Sequence, residues 1–327
     1  MAGGGLGVGR GRRSLLPNLL PLVLLVVLAG CLTGCAENLD RVASLQTALA
    51  GVDGVSEAEV HPATTDTTEW IAVVLDHGLD TTDTLAVVSD VTAAATEAGS
   101  VDYRLEVRRS LTDDDVLVVD ETFAGSRSAE DVTATFIRLT DALLGEISYD
   151  VRGGSETIAV ASGGGIGHDV AESARVGDGS TSTTWRFEAG PATFVVTGRI
   201  GIRDAHLFDR VQRTVSSSVL PIPAIRWRLE RQSTQVVLDL DVRVPGGGDP
   251  DRITPERWGE DVRPLALAAV RASHYPSRSR WLTLTDVAGP EPDTFASWHS
   301  GARPVRGRDP HLRGWDAWWA RVAERLG

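Results

Sequence analysis

The sequence contains no lysine, because all 32 basic residues among its 327 are arginines. Lysine supplies the phosphate ligand of P-loop and kinase sites, the amine of Schiff-base enzymes and the Lys of the Ser-x-x-Lys motif in penicillin-recognising proteins. These classes of active site are therefore excluded. Ala, Gly, Val, Asp and Arg are abundant, which is typical of a GC-rich genome and accounts for the bias against lysine.

Cysteine is almost as scarce, and its only two positions, Cys31 and Cys35, lie near the start of the chain. The residues after them can form neither an internal disulfide nor a thiolate metal site. Their folding must therefore be driven by buried apolar surface, which a chain of this length can supply across two or three domains.

Motifs of familiar catalytic and cofactor sites are also missing. There is no G-x-S-x-G, no H-E-x-x-H and no EF-hand spacing after Asp113-Asp114-Asp115, and the seven histidines are scattered. The glycine run Gly163 to Gly167 fails the dinucleotide fingerprint because His168 stands where the last glycine is needed. We interpret that run as a loop before a helix. The sequence predicts no catalytic residue, no cofactor and no metal site, and hence not an enzyme.

Negative charge is concentrated in the first third of the chain. Residues 36–150 hold 24 acidic and 6 basic side chains, a net charge of −18, whereas residues 151–250 hold 11 of each sign. An acidic surface repels nucleic acid and anionic lipid headgroups, so we expect no nucleic-acid partner. A solvated face that keeps the protein soluble explains the acidity without a ligand.

The first thirty residues have the anatomy of a signal peptide. Arg10, Arg12 and Arg13 precede the apolar stretch Leu15 to Leu28, which prolines and Asn18 interrupt. That stretch is too short and too broken for a transmembrane span. Arg12-Arg13 resembles part of a twin-arginine signal, which leaves the export route open.

Two consecutive tetrapeptides lie at the end of the apolar stretch, Leu28-Ala29-Gly30-Cys31 and Leu32-Thr33-Gly34-Cys35. Both resemble the lipobox of bacterial lipoproteins of the high-GC, actinobacterial type, in which the cysteine thiol takes up diacylglycerol. The resemblance implies a signal peptide at 1–30, a tether at 31–38 and a lipid anchor on the extracytoplasmic face of the membrane. It favours Cys31 as the acylated residue, with Cys35 as the alternative. An uncleaved anchor helix, or a secretory signal with incidental cysteines, remains open.

Hydrophobic periodicity along the rest of the chain predicts a recurring order of helix, strand and strand. Taken in sets, the elements have the β-α-β-β-α-β order of ferredoxin-like domains. We therefore expect an α+β fold of tandem ferredoxin-like sandwiches with antiparallel sheets, each leaving one sheet face free. The predicted units are modules at 39–110, 113–189 and 191–287, followed by a Trp-rich C-terminal tail at 288–327 with a terminal helix.

Short sequence features add detail to this organisation. Asp239 and Asp241 share one face of a predicted strand, where we expect Arg226 and Arg228 to pair with them across a hairpin. The segment Leu49 to Val55 resembles the helix-to-strand turn of BON-type envelope domains. That resemblance covers about a dozen residues and implies no ligand.

Tryptophan is unusually frequent near the C-terminus, where six of the nine lie after residue 257. Trp315, Trp318 and Trp319 share one face of the predicted terminal helix. This face either docks onto the third module and completes its core, or forms a binding surface for lipid headgroups, glycan or a protein.

Taken together, these features predict a lipid-anchored cell-envelope protein that acts as a non-enzymatic scaffold or binds an envelope protein partner. The alternative is a lipoprotein that binds cell-wall glycan or another ligand through the aromatic C-terminal region, with hydrolysis by carboxylates left open. A deep pocket in which Asp or Glu and Trp converge favours the alternative, and flat open sheets favour the scaffold.

Overall fold

The computed structural model describes residues 39–110, 114–177, 179–216, 225–244, 253–272, 279–289, 291–299 and 310–324. These residues form twelve strands and seven helices, besides one short 3-10 turn at Phe123–Gly125. The strands are β1 Val55–His61, β2 Glu69–Leu75, β3 Tyr103–Arg108, β4 Val116–Asp120, β5 Glu146–Arg152, β6 Ser155–Ala161, β7 Thr183–Ala189, β8 Ala192–Thr197, β9 Arg226–Arg231, β10 Gln235–Val242, β11 Ser279–Asp286 and β12 Asp293–His299. The helices are α1 (39–49), α2 Thr81–Glu97, α3 Ala129–Ala142, α4 Ile166–Val176, α5 Ile202–Ser216, α6 Pro255–Ala272 and α7 Pro310–Glu324.

All twelve strands belong to one sheet, and their spatial order is their order in the chain. Strands joined by a short turn pair antiparallel, which makes six hairpins. Strands joined by a helix pair parallel and directly, as in β2-α2-β3. At about 4.8 Å between neighbouring strands, such a sheet is roughly 50 Å wide.

The predicted α+β class is confirmed, but the strands do not pair as three antiparallel ferredoxin-like sandwiches. A ferredoxin-like unit needs a third strand inserted between the two strands that a helix joins. Here those two strands are immediate neighbours in a mixed sheet. The sheet also continues across the expected module limits, since β3 pairs with β4 and β7 with β8. The predicted tail at 288–327 contains a strand, β12, that the sequence analysis missed.

The helices form one layer against one face of this sheet. Consecutive helices from α2 to α7 pack against each other, and several also contact the strands beneath them. Side chains at alternate strand positions are buried: in β2 these are Glu69, Ile71, Val73 and Leu75. Every second side chain of a strand and the apolar stripe of each helix thus point into the same space. Together they form a single core, in one continuous cluster of buried residues.

An aromatic ladder crosses the middle of this core. Trp185, Phe187 and Phe194 follow one another with ring centroids 6.2 and 6.5 Å apart. The ladder continues to Phe208 on α5 at 5.5 Å and from there to Trp227 on β9 at 5.3 Å. Because its members come from β7, β8, α5 and β9, it joins the second and third predicted modules by packing.

Candidate functional site

The face of the sheet that points away from the helices carries charged side chains together with apolar ones, and its side chains are mostly half-buried or exposed. We call this the open face. Its residues alternate with the core positions, for example Trp70, Ala72 and Val74 in β2, or Arg226, Arg228 and Glu230 in β9. It belongs to one continuous sheet, whereas the sequence predicted a free face on each of three separate sandwiches.

Pairs of a basic and an acidic side chain recur on the first strand of five consecutive hairpins along the open face. The partners are two residues apart on one strand: His61–Glu59 at 2.9 Å, Arg104–Glu106 at 2.6 Å, Arg152–Asp150 at 2.5 Å, Arg186–Glu188, and Arg228–Glu230 at 2.8 Å. Exposed pairs of this kind add little to stability, about 0–1 kcal/mol each. Their consequence is that much of the charge on this face is neutralised within the face.

The cross-hairpin pairing predicted for β9 and β10 is confirmed at one of its two positions. Arg226 lies opposite Asp241 and donates to its Oδ2 from Nε at 3.0 Å and from Nη2 at 2.9 Å. Arg228 lies opposite Asp239, but its Nη2 donates to Glu230. Burial raises the pKa of Asp239, although the hydroxyl of Thr283 and the charge of Arg228 act against that shift.

Four open-face residues form a single row across β1 to β4, which we call the cleft row: His61, Trp70, Arg104 and Asp120. Each lies directly opposite the next in the strand register. The row lies in a cleft of about 1040 Å³. The β1–β2 loop forms one wall through Pro62, Thr64, Thr67 and Thr68, and the cleft is also lined by Asp102, Tyr103, Glu106, Glu121 and Arg152.

The aromatic part of the cleft is a stack of two rings. The His61 and Trp70 rings are 4.3 Å apart and nearly parallel, at 11°. The indole Nε1 of Trp70 is buried and has no hydrogen-bond partner among the described residues. Seven tryptophans have described side chains, and of these Trp70 alone is not buried.

The β1–β2 wall is an ordered turn. The backbone N–H of Thr64 donates to the carbonyl of Thr67 at 2.9 Å, and their hydroxyls are 2.7 Å apart. The backbone N–H of Thr67 also donates to the Thr64 hydroxyl at 3.1 Å. These bonds hold several hydroxyl groups at the edge of the cleft.

Glu106 organises the charges at the base of the cleft. Its carboxylate accepts from Arg104 Nη2 at 2.6 Å and from Arg108 Nη2 at 3.4 Å, and its side chain is only 9% exposed. The Nε of Arg104 is buried and lacks a hydrogen-bond partner within the described ranges. The guanidinium group therefore keeps one unused donor beside the unused donor of Trp70.

Asp120 and Arg152 close the far side of the cleft. Asp120 accepts from the backbone N–H and the hydroxyl of Thr122 at 3.0 and 2.7 Å, and from the backbone N–H of Gly153 at 3.1 Å. Burial acts to raise the pKa of Asp120, but these hydrogen bonds and the charge of Arg152 outweigh it, so that the pKa is lowered. Hydrogen bonding to Asp150 raises the pKa of Arg152. Asp120 is thus an ionised acceptor, not a proton donor.

A second, smaller cavity of about 390 Å³ lies near the opposite end of β2. Its lining includes His77, Asp115 and Asp141. Arg109 Nη1 contacts Asp141 at 2.6 Å, and Asp115 accepts from the backbone N–H of Ile147 at 2.8 Å. Across the described residues, no group of three or more His, Cys, Asp or Glu side chains could hold a metal ion. We assign this cavity a structural role.

The glycine-rich loop precedes α4 as expected. Close backbone packing explains why glycine is needed at Gly163 in this loop and at Gly145 beside it. A Cβ on Gly145 would lie 2.1 Å from the carbonyl oxygen of Ala161, and one on Gly163 would lie 2.8 Å from that of Leu144. Gly165 has a φ of +99°, which a side chain would strain. The loop thus needs glycine for its own packing.

The aromatic face of the terminal helix is part of the core. Trp315, Trp318 and Trp319 are 1%, 7% and 8% exposed. Trp315 packs on Phe295 of β12 at 5.6 Å and donates from Nε1 to the carbonyl of Ile253 at 2.9 Å. These three side chains therefore pack in the core, as the docking interpretation expects. A buried face must leave its packing before it can contact a ligand.

Sequence reasoning missed the cleft row because it did not assign the faces of β2. In β2 the core residues Ile71, Val73 and Leu75 occupy every second position. Trp70 lies at an intervening position, which already places its side chain on the opposite face of the strand. Its neighbours Arg104 and Asp120 become neighbours only through the strand register, which periodicity does not reveal.

The predicted lipidation sites, Cys31 and the alternative Cys35, lie outside the described residues, as do the whole predicted signal peptide (1–30) and tether (31–38). Among the residues that are described, no helix combines the length and the apolar character needed to cross a membrane. The chain matches no protein-family model, no curated protein and no solved structure.

Proposed function

We propose that this protein is a lipid-anchored component of a bacterial cell envelope and acts as a non-enzymatic binding scaffold. The observation that carries the proposal is the open face of a twelve-stranded sheet, with a cleft at its acidic end. The helices pack on the other face, so no described helix covers this one. Tandem hairpins and helices build one extended surface, and the cleft beside Trp70 is the larger of the two cavities described above.

The leader supports the envelope location. A basic segment, an apolar stretch and two lipobox-like tetrapeptides would place the chain outside the cytoplasm, tethered through Cys31 or Cys35. The net charge of −18 over residues 36–150 favours an envelope protein or neutral ligand over nucleic acid. The partner of the open face is then a component of the envelope.

Metabolic labelling with radioactive palmitate tests the anchor. We expect label on the wild-type protein and on Cys35→Ser, and none on Cys31→Ser. Label that is lost only in Cys35→Ser would move the anchor to the alternative site. A wild-type protein without label would overturn the anchoring proposal.

Site-specific photo-crosslinking in native membranes tests the open face as the binding surface. A photoreactive residue at Arg186, on the open face, is expected to give a defined adduct. The matched control is Arg213, an exposed residue of the helix layer, which is expected to give none. Identical adducts from both positions, or none from Arg186 and neighbouring open-face positions, would count against the scaffold role.

A further inference from the structure

Two neighbouring residues of the cleft row each have an unused hydrogen-bond donor. Trp70 and Arg104 are directly opposite each other in the parallel register of β2 and β3. The indole Nε1 and the guanidinium Nε are both buried without an acceptor in the described part of the chain. A buried N–H without an acceptor is unfavourable, so an oxygen atom of a ligand would stabilise this arrangement.

Acceptors and negative charge dominate the rest of the lining. Asp102, Glu106, Asp120 and Glu121 face two arginines, and both arginines are paired with protein carboxylates, Arg104 with Glu106 and Arg152 with Asp150. An anionic ligand would meet this excess of carboxylate without a free cation to bind it. The charges therefore disfavour an anionic ligand. Donors and carboxylate acceptors in one cleft suit a ligand that can donate hydrogen bonds as well as accept them.

The His61–Trp70 stack adds an apolar wall to this polar lining. A sugar ring presents both requirements, because each hydroxyl donates and accepts a hydrogen bond while the ring carbons form an apolar face that packs on aromatic rings. Small-ligand sites span about 300–1,000 Å³. The volume of about 1040 Å³ therefore has room for more than one sugar ring.

We propose that the cleft row binds a neutral, hydroxyl-rich glycan segment, with Trp70 and Arg104 donating to its oxygens and the carboxylates accepting from its hydroxyls. This inference deepens the proposed function, since it names a ligand class for the cleft at the acidic end of the open face. It gives the aromatic binding role to Trp70 in place of the buried C-terminal tryptophans.

Calorimetric titration of the full-length protein, purified from membranes in detergent, tests the inference. The test ligands are the neutral oligosaccharides chitotetraose and cellotetraose, with tetraalanine and inorganic phosphate as other ligand classes. We expect at least one oligosaccharide to bind and neither of the other two to do so. Loss of one neutral hydrogen bond in Trp70→Phe should weaken binding roughly 3- to 10-fold, and loss of the ring in Trp70→Ala should weaken it further.

Arg104→Gln should weaken oligosaccharide binding to a similar extent as Trp70→Phe. The matched control is Arg186→Gln, which removes the corresponding open-face pair on β7, outside the cleft, and should change binding less than about twofold. Circular dichroism of each variant checks folding, and Trp70→Phe keeps an aromatic ring in place if Trp70→Ala fails to fold.

Three results would overturn the inference: no oligosaccharide binding at millimolar concentration, binding that Trp70→Phe and Arg104→Gln leave unchanged, or binding of tetraalanine or phosphate in place of sugar. The anchor is tested separately by palmitate labelling. A labelled protein that binds no sugar contradicts only this inference, and an unlabelled protein that binds sugar contradicts only the anchor.

Discussion

Arg231 and Asp204 form a buried two-point ion pair that fastens β9 to the start of α5. Arg231 Nε donates to Asp204 Oδ1 at 2.9 Å and Nη2 donates to Oδ2 at 3.0 Å, with both side chains 8% exposed. Arg231 also donates to the carbonyls of Thr197 and Arg199 at 2.9 and 2.5 Å. This cluster joins β8, α5 and β9 through polar contacts, beside the aromatic ladder.

Replacing Asp204 with alanine should lower the free energy of unfolding by about 3–5 kcal/mol, because it leaves the guanidinium group buried without its counterion. The matched control is Asp241→Ala, which breaks the solvent-exposed pair with Arg226 on the neighbouring hairpin and should cost about 0–1 kcal/mol. Urea unfolding measures both. Equal losses would show that the Arg231–Asp204 pair is not buried as described.

The packing of α7 on α6 depends on Gly259. A Cβ at this position would lie 2.5 Å from Trp318 Nε1 and 3.0 Å from Cδ1, and a rigid indole ring cannot yield as a flexible side chain would. Gly259→Ala should therefore destabilise the protein by about 1–3 kcal/mol despite the better helix propensity of alanine.

Gly314→Ala is the control for this prediction. Gly314 lies in α7, and its added Cβ would approach no closer than 3.6 Å to Pro255 Cδ. It should be neutral or stabilise by up to about 1 kcal/mol. Thermal unfolding of both variants decides the matter: a Gly259→Ala protein as stable as Gly314→Ala would show that α7 does not dock in this way.

Asp169 on α4 is fully buried, and neither of its carboxylate oxygens has a hydrogen-bond partner among the described residues. Burial raises the pKa of Asp169, against the opposing effects of Ser162 and His168. The folded state then holds this proton more tightly than the unfolded state, so stability falls as pH rises from the ordinary value of 3.8 through the raised pKa.

Asp169→Asn removes that charge, so it should raise the unfolding free energy at pH 7 and lose this advantage as pH falls below about 4. Denaturant titrations from pH 3 to 7 test it, with the exposed Asp66→Asn as the control. A variant less stable than wild type at pH 7 would show that the carboxylate of Asp169 has partners in the folded protein.

Asp120 is expected to behave in the opposite sense, because its folded-state pKa is lowered by hydrogen bonds that outweigh burial. Its stabilising contribution is fully present above 3.8, the ordinary value, and is lost as pH falls through the lowered pKa. In Asp120→Asn, an amide NH₂ would face a backbone N–H from either Thr122 or Gly153. The variant should lose about 1–3 kcal/mol at pH 7 and converge with wild type in acid; a constant difference across pH would contradict this.

Periodicity predicted most elements, because each strand alternates and each helix carries an apolar stripe. Helix α1 (39–49) and strand β1 Val55–His61 fit the predicted order of helix and strand. Strand pairing could not be predicted in the same way. Any run of alternating hairpins and helices contains the order β-α-β-β-α-β, and only the observed register shows that the strands on either side of a helix are direct neighbours.

The candidate site was harder to predict than the fold. The C-terminal tryptophans stood out by number and spacing. Aromatic residues at helical spacing are found both in cores and on binding surfaces, so the spacing alone could not tell the two apart. Trp70 is an isolated tryptophan in the sequence. It belongs to the cleft row only because His61 and Arg104 lie opposite it on the two neighbouring strands. A site assembled from four strands becomes visible only when their register is known.

Mass spectrometry of the mature N-terminus, on protein purified from native membranes, tests the central proposal most directly. We predict that the chain begins at Cys31 and carries a diacylglyceryl group on its thiol, with the first thirty residues removed. An intact N-terminus at Met1, or a mature end without acyl mass at either Cys31 or Cys35, would contradict the lipid-anchored envelope role.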